Sequence, residues 1–357
     1  MANIFEYIKE KGNLTLNQEK FNEVDNLIFS RLSYLPFEST KLEEKETFES
    51  IYKKLKNINI DEFNMSQDKE LIQLVGTCNR YKNLIVTDYY FSRDERKEKQ
   101  FVAITIHLGN GELYVSYGGT DNTLVGWKED FNLSFMLHIP SQIEAIKYIK
   151  KISTKHNQKM HLGGHSKGGN LAVYAGVFCT KRIQDRIVDI TNFDGPGVDK
   201  TVIENEKYKR ILNKINTYIP QSSIIGRLLE HEEQYIIVRS TQISVMQHDI
   251  FSWVVNGLEL EKLDKVTNGS DMINETVRNW LKSTSPKQRE QFINIMYEIV
   301  TKTKAKTFKE FTASWTKNIG IILKSYKDIS SEDKKIIGQM ILNFFTAAKD
   351  SIKEKVI

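Results

Sequence analysis

Gly164-His165-Ser166-Lys167-Gly168 is the stretch of this sequence that most narrows the choice of fold. It matches Gly-x-Ser-x-Gly, the pattern of a nucleophile elbow, in which a tight turn between a strand and a helix exposes the serine hydroxyl. The flanking sequence has the required order, because residues 143–158 predict an amphipathic helix, residues 160–162 a short strand and residues 170–179 another helix. A glycine-rich turn with an ordinary surface serine is the alternative. The strand before Ser166 and the helix after it favour the elbow.

Alternation of strands and helices continues on both sides of this motif. Residues 84–91, 100–108 and 113–117 predict three strands joined by hairpins, and further strands are predicted at 187–193, 215–219 and 235–240. Strands that alternate with helices pair in parallel through crossover connections. We therefore predict the α/β class: an α/β-hydrolase-like, mostly parallel sheet with flanking helices, plus helical N-terminal and C-terminal extensions.

The two ends of the chain have a helical pattern. Residues 21–32, 41–58 and 67–79 predict helices before the first strand, and strand signals stop near Leu258. This gives a predicted N-terminal helical segment at 1–80, an α/β-hydrolase core at 81–257 and a C-terminal helical subdomain at 258–357. Ser285-Pro286-Lys287-Gln288 predicts a helix start with a capping residue.

Three apolar stripes follow in the C-terminal region. They are formed by Phe292, Ile295, Met296 and Ile299; by Phe308, Phe311, Trp315, Ile319, Ile322 and Tyr326; and by Ile336, Ile337, Met340, Ile341, Phe344, Phe345 and Ile352. We expect these helices to bury their stripes against each other or the sheet. A lid, an oligomer contact or a membrane-surface helix is the alternative.

Composition predicts an ordinary globular protein. The chain has 357 residues and a net charge of +5, with 51 basic residues against 46 acidic ones, which favours a mixed solvated surface over a nucleic-acid partner. No apolar run approaches the ~20 residues of a membrane span, and residues 1–10 lack the basic and apolar regions of a secretory signal. Cys78 and Cys179 predict neither a disulfide framework nor a metal site. We expect a cytoplasmic protein without cofactor or metal, and its oligomeric state stays open.

A serine hydroxyl needs a base within hydrogen-bond reach and a carboxylate that orients the base. In α/β-hydrolases the chain order is Ser, acid, His, which leaves His231 and His248 as bases. We favour His248, because it follows the predicted strand 235–240 after a short turn, whereas His231 lies in the charged stretch 230–233. A structural histidine at position 248 is the alternative.

Asp194 is the favoured acid. It comes directly after the predicted strand 187–193 and before Gly195-Pro196-Gly197, so it lies at a carboxyl strand end. A turn-forming aspartate is the alternative. The substitutes for the role of acid are Glu230, Asp249 and Asp199.

Two N–H donors are predicted for the oxyanion hole. One is the backbone N–H of Lys167, directly after the serine. The other comes from Thr120, through its N–H and hydroxyl, in the loop 118–122 after the predicted strand 113–117. The glycines of this loop would let its backbone approach a ligand, and a plain turn is the alternative.

With these candidate nucleophile, base, acid and oxyanion residues, the chain resembles the class 3 lipase branch of the α/β-hydrolases. Tyr117-Gly118-Gly119-Thr120 is similar to the Arg-Gly-Thr oxyanion loop of those lipases, and Trp127 and Asp130 resemble the tryptophan and aspartate that follow it. The Mbeg1-like family, a bacterial family of lipase-like proteins, is closer still. The motifs that carry this resemblance are Gly163-Gly164-His165-Ser166-Lys167-Gly168-Gly169-Asn170-Leu171-Ala172, Phe193-Asp194-Gly195-Pro196-Gly197, Ile219-Pro220-Gln221-Ser222-Ser223-Ile224-Ile225-Gly226 and Gln247-His248-Asp249-Ile250-Phe251-Ser252-Trp253.

The resemblance spans roughly residues 84–257 and implies an α/β-hydrolase fold with serine-ester hydrolysis. The chain departs from class 3 lipases in two places. Gly118 replaces the usual arginine of the oxyanion loop. Class 3 lipases place their acid just after the next strand, and here that segment, 217–223, contains no carboxylate. Either Asp194 has taken the role of acid from the preceding strand, or the site is a Ser-His dyad.

The predicted function is a serine hydrolase that cleaves carboxylic, lipid-like acyl esters, with Ser166, His248 and Asp194 as catalytic residues. The predicted partner is a small-molecule or lipid ester, with weak membrane-surface contact left open. A catalytically silent hydrolase fold that serves as a binding scaffold and a peripheral membrane phospholipase are the alternatives.

Overall fold

The computed structural model describes residues 1–121, 123–305, 307, 310–311 and 314–353. Asn122 of the predicted oxyanion loop and Phe308 of the second apolar stripe lie outside the described residues, as do the side chains of Trp315 and Ile352. The chain divides into two compact units. The first comprises Met1–Ser92, Phe101–Gly119 and Ser141–Ser270, and the second comprises Arg93–Gln100, Thr120–Pro140 and Asp271–Ile357.

A mixed sheet organises the first unit. Its strands, in their order across the sheet, are β1 (Lys45–Thr47), β2 (Ile85–Asp94), β3 (Lys99–His107), β4 (Glu112–Tyr117), β5 (Lys159–His165), β6 (Ile187–Phe193), β7 (Ile215–Pro220), β8 (Tyr235–Val238) and β11 (Lys262–Leu263). The strands from β4 to β8 run parallel, whereas β3 and β11 pair antiparallel with the two sides of this parallel block. A small separate hairpin is formed by β9 (Val255–Asn256) and β10 (Glu259–Leu260).

In the described part of the chain, helices lie between most of the parallel strands and on both sides of the sheet region in the sequence. They are α1 (Ile4–Lys11), α2 (Glu23–Leu32), α3 (Phe48–Leu55), α4 (Gln67–Thr77), α5 (Leu124–Asn132), α6 (Pro140–Lys155), α7 (Lys167–Phe178), α8 (Lys181–Gln184), α9 (Lys200–Ile203), α10 (Glu206–Ile211), α11 (Asn268–Lys282), α12 (Pro286–Thr301), α13 (Trp315–Asp328) and α14 (Ser331–Lys353). The predicted α/β-hydrolase-like fold with a mostly parallel sheet and helical ends is confirmed.

Two local expectations are wrong. The predicted helix at 41–58 contains β1 and begins only at Phe48, because Lys45–Thr47 pairs with β2 and Thr47 then caps α3. Strands also continue past Leu258, since β10 and β11 lie there. Segments of two or three residues are too short to show a periodicity, so cross-strand pairing decides their structure.

The two faces of the sheet carry separate cores. Side chains alternate along a strand, and in β4 Tyr114 packs with the N-terminal helices, whereas Leu113 and Val115 pack with α6 and α7. Helix α2 lies on the first of these faces and is buried from Val24 to Leu32. The N-terminal helices therefore share one core with the sheet. The predicted three-part division at residues 80 and 257 stays a prediction.

Buried ion pairs tie the N-terminal helices together. Arg80 donates two hydrogen bonds to the Asp25 carboxylate, at 2.8 and 2.5 Å, and Arg31 makes an equivalent pair with Asp68 at 2.6 and 2.7 Å. All four side chains are nearly or fully buried. In each pair two parallel hydrogen bonds join the guanidinium to the carboxylate, which fixes the orientation of α2 relative to α4 and to the turn that follows α4.

The second unit is built on α12. Ser285 accepts from the Gln288 N–H at 3.3 Å, while the Gln288 side chain accepts from the Ser285 N–H at 2.9 Å. The predicted helix start is therefore confirmed as a capping box. Helices α5, α13 and α14 pack against α12. In the described part of the chain, no helix has both the length and the apolar character needed to cross a bilayer.

Candidate active site

Ser166 occupies the turn between β5 and α7. Its backbone is left-handed, with φ of 57° and ψ of −134°. The Ser166 N–H donates to the Phe193 carbonyl of the neighbouring strand at 2.9 Å, and the Gly169 N–H donates to the Ser166 carbonyl at the same distance. This is the geometry of a nucleophile elbow. One hydrogen bond fixes the turn to the neighbouring strand, and the other fixes it to the first turn of α7.

The glycines of the motif are required by close backbone packing. A Cβ on Gly164 would collide with the backbone of Gly168, and a Cβ on Gly168 would collide with the Tyr117 carbonyl. The start of α7 can approach the ends of β5 and β4 only because neither residue has a side chain.

Asp194 lies beside the elbow, directly after β6. Its N–H donates to the Tyr218 carbonyl at 2.8 Å, and its φ is 51°. His165 is in register with Phe193 across the two parallel strands, so Ser166 and Asp194 follow paired residues at one edge of the sheet. The Asp194 side chain is 1% exposed, and a carboxylate buried this deeply needs hydrogen-bond donors.

His248 supplies one of those donors. Its Nδ1 lies 2.7 Å from Asp194 Oδ2, and 27% of its side chain is exposed. Because a carboxylate only accepts, Nδ1 carries the proton, and in neutral imidazole Nε2 is then the basic nitrogen. The structure therefore brings together the two residues that the sequence proposes as base and acid, although they are 54 positions apart.

Ser223 supplies a second donor, which sequence reasoning missed. Its hydroxyl donates to Asp194 Oδ1 at 2.5 Å, and the Gly226 N–H donates to the same oxygen at 3.2 Å. Ser223 lies in the segment after β7 that lacks the carboxylate expected from class 3 lipases. Both oxygens of Asp194 are thus engaged, so the carboxylate that ends β6 is oriented by the loop after β7.

His165 is the second residue that sequence reasoning missed. Its ring lies 4.5 Å from the His248 ring, between centroids, and its Nε2 lies 2.8 Å from the His248 carbonyl oxygen. That oxygen only accepts, so Nε2 carries the proton. Burial, together with the charge of His248, holds the pKa of His165 well below its usual value. Tyr34 donates from the segment after α2 to the His165 carbonyl at 2.9 Å.

The alternative residues have other contacts. His231 Nδ1 lies 3.0 Å from Glu233 Oε1. Burial would raise the pKa of Glu233, but the hydrogen bond and charge of His231, with hydrogen bonds from Thr217 and Tyr208, lower it to about 2. Asp199 caps α9 by accepting from the Thr201 N–H, and Asp249 accepts from the Phe251 N–H at 3.0 Å. Glu230 pairs through its backbone with Val198.

The predicted oxyanion residues belong to different units. Lys167 is the first residue of α7, and helical hydrogen bonding does not use the N–H groups of a first turn. Thr120 belongs to the second unit, where its hydroxyl donates to Asp130 at 2.5 Å. The Thr120 N–H and the Thr120 hydroxyl are the two groups predicted as oxyanion donors, and the hydroxyl already donates a hydrogen bond within the second unit. Both assignments stay predictions.

The two glycines before Thr120 are required by contacts within their own unit, and their expected role in the approach to a ligand stays a prediction. A Cβ on Gly118 would collide with Val102, and a Cβ on Gly119 would collide with the Tyr34 hydroxyl. The backbone here approaches side chains of its own unit, and position 118 has no room for the arginine of class 3 lipases.

Among the described residues, no group of three or more His, Cys, Asp or Glu side chains is placed to hold a metal ion. The expectation that the reaction needs neither metal nor cofactor stays a prediction.

The sequence profile of the Mbeg1-like family matches residues 75–298, more than half of the chain. The chain belongs to the Mbeg1-like family. This Mbeg1-like match contains the elbow, Asp194 and His248. No curated protein sequence matches the chain.

Solved structures similar to this Mbeg1-like chain include two lipases and the protein MDLA. The M37 lipase is 17% identical, with a TM-score of 0.37, over 56% of this chain and 68% of its own. Lipase II from Rhizopus niveus is 11% identical, with a TM-score of 0.39, over 66% of this chain and 82% of its own. A mutant of MDLA from Penicillium cyclopium is 11% identical, with a TM-score of 0.38, over 67% of this chain and 83% of its own.

Proposed function

We propose that this protein is a serine hydrolase that cleaves carboxylic esters of lipid-like acyl chains through an acyl-enzyme intermediate. The observation that carries the proposal is the 2.7 Å contact between His248 Nδ1 and Asp194 Oδ2 at the sheet edge where the elbow presents Ser166. A buried carboxylate, an oriented imidazole and a serine on a left-handed turn are the three parts that nucleophilic ester cleavage requires.

In the first step, His248 Nε2 removes the proton from Ser166 Oγ while Oγ bonds to the acyl carbon of the ester. The carbonyl oxygen becomes an oxyanion, for which we propose the backbone N–H groups of Lys167 and Thr120 as donors. The C–O bond to the alcohol then breaks, and the alcohol leaves with the proton from His248. Asp194 stabilises the imidazolium while it holds this proton.

In the second step, water replaces the alcohol. His248 removes a proton from the water as its oxygen attacks the acyl carbon, and then returns the proton to Ser166 Oγ as the acyl bond breaks. The products are a carboxylic acid and the free enzyme. No redox or metal step enters this sequence, since both halves are acyl transfers between oxygens.

A fluorophosphonate probe tests the assignment directly, because it phosphonylates only an activated serine. We expect the wild-type protein to be labelled and the Ser166→Ala variant to be inert. Ser153→Ala is the matched control and should label like wild type, since Ser153 is half-buried on α6 and its hydroxyl donates to the Lys150 carbonyl at 2.8 Å.

A series of p-nitrophenyl esters of increasing acyl length then measures turnover and the preference for lipid-like chains. Labelling of Ser166→Ala at the wild-type rate would refute the nucleophile. Absence of both labelling and turnover in wild type would favour the silent scaffold instead.

A further inference from the structure

Helix α13 faces solvent with its apolar side. Asn318 and Ser325 are buried, with 3% and 5% of each residue exposed, whereas Leu323 is 58% exposed. The buried Asn318 amide donates to the Phe311 carbonyl at 2.7 Å. Surface helices of globular proteins normally have the opposite arrangement, with apolar residues inward and polar ones outward.

The outward residues of α13 form one stripe. Ile319, Leu323 and Tyr326 are all exposed, and at 100° per residue they fall within an arc of about 60°. Lys327 is exposed and borders this stripe, about 40° beyond Leu323, and the exposed Lys324 and Lys317 lie further round the same flank of the helix. The surface of α13 therefore combines an apolar stripe with a row of ammonium groups.

Helix α14 has the same character. Ile341, Leu342 and Phe345 are exposed, the last by 66%, on the side away from the buried Met340 and Ala347. Lys335 and Lys349 are exposed on that same side. Over residues 315–353 the sequence has seven lysines and four carboxylates, so this part of the chain is cationic.

We propose that the outward faces of α13 and α14 bind an anionic lipid surface. We call these faces, formed by Ile319, Leu323, Tyr326, Ile341, Leu342 and Phe345 with their neighbouring lysines, the apolar-basic face. A helix with an apolar stripe and lysines beside it lies in the plane of a bilayer interface, with the stripe among the acyl chains and the ammonium groups at the phosphates. Tyrosine suits the same boundary, since its ring is apolar and its hydroxyl is polar.

The charge of the face selects the lipid surface over a second copy of this chain. An isologous dimer through this face would bring lysines of one copy against lysines of the other, and like charges in an interface oppose association. Phosphatidylserine headgroups have the complementary charge. Each lysine near such a surface contributes favourably, and the contribution decreases as salt screens it.

Co-sedimentation of the full chain with vesicles tests the proposal. We expect binding to vesicles of phosphatidylcholine with phosphatidylserine, weaker binding at high salt, and little binding to phosphatidylcholine alone. Leu323→Ser should reduce the partition constant about tenfold or more, since it removes a buried aliphatic side chain from the bound state. Lys327→Gln should reduce it about fivefold, because Lys327 is the lysine beside the apolar stripe.

Leu137→Ser is the matched control, because Leu137 belongs to the same unit and is 47% exposed but lies on neither helix. It should bind like wild type, and circular dichroism should show that all three variants are folded. Equal binding to both kinds of vesicle, or unchanged binding by Leu323→Ser, would overturn the proposal.

Sedimentation velocity tests whether a second copy of the chain covers the apolar-basic face. A dimer that Leu323→Ser dissociates would show that a second copy covers the face, and would also overturn the proposal. None of these measurements needs turnover, so their failure would leave the proposed hydrolase activity untouched.

Discussion

The rings of His165 and His248 lie 4.5 Å apart, and the Nε2–H of His165 donates to the backbone carbonyl of His248 at 2.8 Å. This hydrogen bond anchors the loop that carries the proposed base to the strand that carries the proposed nucleophile. His165 stays neutral because burial, assisted by the charge of His248, keeps its pKa well below the usual range. A charged ring at this distance would oppose the imidazolium that the mechanism requires.

Replacement of His165 by leucine should therefore impair the reaction without removing a reacting group. Loss of the donor to the His248 carbonyl should lower kcat/KM about tenfold, the effect of one hydrogen bond. His165→Gln keeps an N–H donor and should recover part of the loss. Steady-state kinetics and the rate of fluorophosphonate labelling measure the effect, and a His165→Leu variant with wild-type kcat/KM would exclude the positioning role.

Replacement of the Asp194 carboxylate should have a larger effect on the reaction than replacement of His165. In Asp194→Asn the amide cannot stabilise the imidazolium and favours the wrong tautomer, so kcat should decrease by about 10³–10⁴ with KM little changed. Asp199→Asn is the control, because that nearby carboxylate only caps α9. If Asp194→Asn reduced kcat no more than this control, the site would be a Ser-His dyad.

Gly164 should tolerate no side chain. Its Cβ would collide with the Gly168 backbone, so Gly164→Ala should destabilise the fold by about 1–3 kcal/mol or more. Gly338→Ala provides the contrast, since nothing lies near that position in α14 and alanine favours a helix by up to about 1 kcal/mol. Thermal melts compare the two variants, and equal melting temperatures would contradict the close packing at the elbow.

His161 should make stability depend on pH. Burial alone would lower its pKa, but hydrogen bonds and charges from Asp189 and Glu112 raise it above the usual value. A raised folded-state pKa adds stability that is complete below the unfolded pKa of about 6.5 and is lost as pH rises through the folded value.

The free energy of unfolding, measured in urea, should therefore fall across this window in wild type and fall less in His161→Gln. Parallel curves for the two proteins would show that His161 contributes no such dependence.

Much of the sheet and of the candidate site can be anticipated from local pattern. Residues 187–193 predict a strand and form β6 with the same limits, since apolar residues bounded by turns are a strong strand signal. The position of Asp194 follows from this, because a residue that ends a parallel strand lies at the ligand edge of the sheet. Ser166 is identified in the same way, through a motif that includes its own turn.

The remaining features depend on distant partners. Ser223 is within reach of Asp194 only because β7 pairs with β6, and Tyr34 reaches His165 across 131 positions. Neither residue has a local pattern that distinguishes it from other polar residues. Segment 45–47 likewise becomes a strand through its partner β2 and not through its own sequence.

Ser166 and Asp194 both hold left-handed backbone torsions that glycine would adopt more readily. Laboratory evolution towards heat resistance alone would therefore favour glycine at these two positions and remove the side chains that we propose as nucleophile and acid. A screen for more heat-stable variants of this protein therefore has to select for the proposed activity in the same round. Otherwise it enriches variants that are well folded but inactive.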